Sequence, residues 1–86
     1  MKIKEGFMIR TVAGQNVVIP VSGDLNLNMM IRLNETGLFL WEQLQKETTV
    51  EELVEAVLKN YDIDEEGAKM HVENFLGKLK ENEFLE

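Results

Sequence analysis

Apolar positions recur with a period of two through the first third of the chain and with a period near 3.6 after it, so strands are expected first and helices later. Phe7 to Val12 is β-branched and alternating, Ala13-Gly14-Gln15-Asn16 supplies turn residues, and Val17 to Val21 follows, which predicts a hairpin. Pro20 suits an edge position or a strand end, because it has no amide proton to give a ladder. After Ser22-Gly23-Asp24, the run from Leu25 to Leu33 places apolar side chains at every odd position and polar ones at the even positions except Met30. Its odd face is expected on a core and its even face toward solvent or a partner.

From Asn34 the spacing becomes helical. Asn34 can cap a helix reaching about Gln45, with Glu35 facing the positive end of its dipole. Thr49-Val50-Glu51-Glu52 has the form of a capping box, in which Glu52 would reach back to the cap amide. The second helix carries Val50, Leu53, Val54, Val57, Leu58 and Tyr61 on one stripe. Asp64 caps a third helix whose stripe is Ala68, Val72, Phe75, Leu76 and Leu79. Asn82 is expected to take the left-handed conformation that ends it, and Phe84-Leu85 to fold back onto the core.

Eighty-six residues suffice for one domain over positions 1–86 and exclude a two-domain enzyme. The longest apolar run, Leu38 to Trp41, is far short of a membrane span, and the charged start MKIKEGF is unlike a signal peptide, so a cytoplasmic protein without membrane contact is expected. Charge is unevenly spread. Residues 1–34 carry four Lys and Arg against two carboxylates, and residues 35–86 carry five against fourteen, giving +2 and −9. A polyanion such as nucleic acid would be repelled by the second part.

Catalytic chemistry is scarce. The absence of Cys removes thiolate nucleophiles, thiolate metal sites and disulfides, and the single histidine, His71, has no second His to share a metal or relay a proton. Asp62, Asp64, Glu65 and Glu66 lack the Gly and ligand spacing of a calcium loop and read as a helix start. No catalytic residue, metal site or cofactor is expected. Two features exceed a plain core. Phe39 lies opposite Trp41 and Leu44 on the first helix, which either a helix sandwiched within the domain or a self-association surface, hence a homodimer, would explain. Met30, beside Met29, puts an adaptable thioether on the polar face of the third strand, where it could accept a variable peptide or fill a gap.

Three strands, a helix, a capped helix and a closing helix make an α+β chain in the order of a small winged helix-turn-helix, a three-stranded antiparallel sheet followed by three helices. Specific residues go further: Ile31-Arg32-Leu33-Asn34-Glu35-Thr36-Gly37 with Leu40-Trp41, then Thr49 to Val54, Tyr61 to Asp64, Val72 to Leu76 and Leu79. With Arg10 to Gly14 and Val17 to Pro20, this series resembles the PqqD family, the small proteins of pyrroloquinoline quinone (PQQ) biosynthesis and their relatives. The likeness runs over nearly the whole chain. It departs at Asn82-Glu83, where the family usually has a Gly before the closing apolar pair.

The resemblance implies a non-enzymatic peptide chaperone, a recognition element for ribosomally made and post-translationally modified peptides (RiPPs). Such a domain holds the leader of a precursor peptide as an added strand between its third strand and third helix. It presents the leader to a modifying enzyme, often a radical SAM protein. An open strand edge has unpaired N–H and C=O groups for any extended peptide, and neighbouring side chains select among sequences. That edge is expected at Met29, Met30, Ile31, Arg32 and Leu33. On the third helix, Lys69, Glu73, Leu76 and Lys80 form one flank of the stripe centred near Val72 and Leu79, while His71 and Lys78 form the other. The first flank is the expected wall, since Leu76 adds apolar area and Lys69 and Lys80 could meet an acidic leader. The alternatives are a winged-helix DNA-binding domain and a ligand-free dimerisation module. Asp64, Glu65, Glu66, Glu73 and Glu81 argue against DNA, because they outnumber Lys69, Lys78 and Lys80 on the would-be recognition helix.

Overall fold

A computed structural model describes residues 1–21 and 31–86. Strands β1 (Phe7–Val12), β2 (Gln15–Pro20) and β3 (Ile31–Leu33) form an antiparallel sheet in that order, followed by helices α1 (Glu35–Gln43), α2 (Val50–Asn60) and α3 (Glu65–Glu81). The expected third strand began at Leu25. Its residues 25–30, Met29 and Met30 among them, lie outside the described residues.

Val12 pairs with Gln15, so the hairpin closes through Ala13 and Gly14 alone, both with positive φ (52° and 78°). The twist of such a two-residue loop matches that of the strands it joins, which extends β2 two residues further back than the four-residue turn expected from sequence. Pro20 ends the central strand, and toward β1 the hydrogen bonding continues past it through the Val21 amide, which donates to the Gly6 carbonyl (2.8 Å). Ile9 and Ile31 flank Val18 on the core face, while Arg10 and Arg32 flank Val17 on the opposite face.

Each helix begins at a side-chain cap. Asn34 Oδ1 accepts from the Gly37 amide (2.7 Å), Thr49 Oγ1 from Glu52 (3.2 Å) and Asp64 Oδ1 from Gly67 (2.8 Å). The expected capping box is half formed: the Glu52 carboxylate accepts from the hydroxyl of the buried Thr48 (3.0 Å). The end of α3 also departs from expectation. Asn82 keeps φ −96°, and Glu83 takes the left-handed conformation at φ 59°. The Phe84 amide then reaches the Leu79 carbonyl (2.9 Å) and the Glu83 amide reaches Lys80 (3.1 Å), which is a Schellman motif. Only the residue after the cap can turn the chain so that Phe84 lands on Leu79, and both are fully buried.

The core joins the sheet face to all three helices through Val18, Ile31, Leu33, Leu40, Trp41, Leu44, Leu53, Val57, Val72 and Leu79 around Phe84. The Phe84 ring meets Phe7 and Trp41 edge to face at 4.6 and 5.8 Å. Residues 1–4, unassigned by periodicity, lie beside the C-terminal residues: Ile3 bridges Leu85, its amide donates to Leu44, and its side chain is buried. Phe39 is half-buried and packs edge to face on Tyr61 at 5.5 Å, so the second apolar side of α1 is covered from within the chain by the end of α2. Among the described residues no helix is long and apolar enough to cross a membrane.

Candidate functional site

β3 is an edge strand: it pairs with β2 on one side and, among the described residues, with no strand on the other. Its outer side therefore presents main-chain donors and acceptors that an extended segment could satisfy. Beside it opens a groove of about 710 Å³, bounded by the β1–β2 loop, the end of β3, the first turn of α1 and one flank of α3.

Local folding sets each boundary. The Asn34 cap turns the chain sharply from β3 into α1, so Leu33 and Gly37 share the floor with Leu38 and Leu40. At Gly37 a Cβ would stand 3.1 Å from Asn34 Oδ1, 3.4 Å from Phe75 Cε1 and 3.6 Å from Leu33 Cδ2, so the absence of a side chain lets α1 and α3 close beneath the groove. Phe75, half-buried, forms the apolar part of the α3 wall, with His71, Asn74 and Lys78 around it. Arg32 stands on the strand side, where its Nη1 donates to Gln15 Oε1 at 2.9 Å. The apolar floor and polar rim are those of a binding groove. Among the described residues no three His, Asp or Glu side chains come together as metal ligands.

The expected site residues divide. Arg32 and Leu33 line the groove, and Ile31 points inward against Val18. Val72 is fully buried in the core rather than exposed to a ligand. Lys69, Glu73, Leu76 and Lys80 are not at the groove. Lys69 pairs with Glu65 along α3 at 3.7 Å, Glu73 is exposed, and Leu76 and Lys80 line a separate depression of about 440 Å³ with Val50 and Leu85. The flank facing β3 is the one with His71 and Lys78. Packing against α2 turns α3 so that Leu76 is buried among Leu79 and Val72 while Phe75 is left on the groove side. Phe75, Asn74, Gly37 and the loop residues Gly14 to Asn16 also line the groove and were not among the residues expected from sequence. The one signal pointing toward them was Phe75 at the margin of the helical stripe.

A family model described as coenzyme PQQ synthesis protein D (PqqD) matches residues 16–85. Two solved structures share the fold. TbiB1, described in complex with the TbiA(beta) leader peptide, aligns over 100% of this chain and 95% of its own at 23% identity and a TM-score of 0.75. A lasso peptide synthetase B1, described as complexed with the leader peptide, aligns over 94% and 91% at 16% identity and a TM-score of 0.69. No curated protein matches the sequence.

Proposed function

The chain belongs to the PqqD family, and from that premise we propose that it is a non-catalytic partner protein that holds the leader of a ribosomally made precursor peptide. The leader would lie as an added strand on the outer edge of β3, its side chains in the groove that runs to Phe75, and be presented to a peptide-modifying enzyme. The radical SAM class is the partner that family membership suggests. The observation carrying this reading is an edge of β3 that no described strand covers, beside a groove with Leu33 and Leu38 in its floor and Phe75 in its wall, in a fold shared with two proteins described in complex with leader peptides. Backbone pairing supplies affinity for any extended chain, and side-chain pockets supply selectivity. A polar rim around an apolar floor can hold a peptide without acting on it.

Titration with leaders of precursor peptides encoded near this chain, followed by amide chemical shifts and amide exchange, tests the proposal. Strand addition shifts Ile31 to Leu33, Gly37 and Asn74 to Lys78, and slows exchange of the outward amides of β3. Shifts confined to α2, with β3 exchange unchanged, would overturn it.

A further inference from the structure

We propose that the groove selects an extended segment in which apolar residues alternate with acidic ones, the acidic side chain pairing with Arg32. This rests on the strand-addition reading above. Side chains of an added strand alternate between two faces, as those of β3 do. Ile31 and Leu33 point to the core and Arg32 to the opposite, exposed face. A peptide residue opposite Leu33 thus points over the floor of Leu33 and Leu38 toward the Phe75 wall, where burial favours an apolar side chain. Its neighbour, opposite Arg32, lies on the same outer face, and the Arg32 side chain, held over β2 by Gln15, reaches it by leaving that neutral amide and turning across the edge.

The charges around the groove decide which neighbour is favoured. Arg32 and Lys78 both line it, and Glu35 is the one carboxylate among the lining residues. The hydrogen bond from Arg32 holds the guanidinium against the neutral amide of Gln15, and among the described residues no carboxylate pairs with it. Elsewhere on α3 the balance is reversed: Lys69 pairs with Glu65, and Glu66 and Glu73 face solvent. A chain of net charge −7 thus places Lys78 in the lining of the groove and Arg32 on the outer face of the strand beside it, which attracts carboxylates to this edge and repels them from the rest of α3. An opposite-charge pair directly across two strands is favourable and a like-charge pair unfavourable, each by up to about fivefold in affinity.

The test uses three fluorescein-labelled synthetic peptides with Gly and Ser flanks around Leu-X-Val-X-Leu, where X is Glu, Gln or Lys. Anisotropy titrations are run on the native protein, R32E and K78E, with melting curves of each variant and amide shift mapping of the native complex. The expected order is Glu tighter than Gln tighter than Lys, about fivefold per step at low salt and less at about 0.15 M. R32E should invert the order, and K78E should narrow it. Equal binding of all three peptides, with shifts still at Ile31 to Leu33 and Phe75, overturns the charge selection and leaves the groove reading standing. No binding by any of the three, or shifts away from β3, overturns the strand-addition reading and the selection with it.

Discussion

Among the described residues, two hold backbone conformations that their side chains disfavour, and each marks a place where tertiary contacts outweigh local preference. Ala13 (φ 52°) and Glu83 (φ 59°) are left-handed, a conformation costing a non-glycine residue about 1–2 kcal/mol. Ala13 pays this cost to keep β1 and β2 in register, and Glu83 accepts it so that Phe84 reaches Leu79. Glu83→Gly should therefore raise stability by about 0.5–1 kcal/mol, and Ala13→Asn by a similar amount. Thermal melts should rise by about 4 °C for each. Unchanged or lower melting of Glu83→Gly would contradict the Schellman geometry. At the groove, Phe75→Leu keeps an apolar side chain but removes the ring from the wall. We expect leader affinity to fall about fivefold, read by titration calorimetry, with melting little changed.

The helices show how far one element's pattern predicts its surroundings. Caps at Asn34, Thr49 and Asp64 were legible because a short polar side chain before an apolar stripe has few other uses. The wall of the groove was not, because a wheel gives α3 two flanks of similar amphipathic character and only its packing against α2 and α1 chooses between them. On α1, Trp41 is almost fully buried and lies edge to face against Phe84. Trp41→Ala should cost about 3–5 kcal/mol, comparable with the whole stability of many domains this size. Urea or thermal unfolding that shifted by less than about 1 kcal/mol would mean α1 is not held by this ring.

Across the whole molecule, charge and chain ends follow different rules. The acidic excess after residue 34 spreads over the helices, while the two cations Arg32 and Lys78 meet at one groove. The protein should therefore pass through heparin or duplex-DNA columns without retention even at low salt, because phosphate affinity needs clustered Lys and Arg. Retention beyond about 0.2 M salt would favour a nucleic-acid partner. Residues 1–4 lie beside residues 84–86 through Lys4 to Phe84 (2.8 Å) and Glu86 to Lys2 (2.9 Å) hydrogen bonds, burying Ile3. No local period could reveal that pairing, since its two partners are at opposite ends of the sequence.

The order of elements, the caps, the inward stripe of each helix and the family likeness were determined by the sequence alone, because periodicity and capping depend on neighbours within a few residues. The alternation that turns Leu33 inward and Arg32 outward was legible for the same reason, while their place at a peptide-binding edge was an expectation from the family likeness. Which flank of α3 faces them, that Tyr61 covers Phe39, and that Gly37 lets Phe75 close on Leu33 were decided only in three dimensions. Each depends on the angle and distance at which separate elements pack, and burial of apolar area, unlike a hydrogen-bonded cap, carries no direction that a single segment could encode.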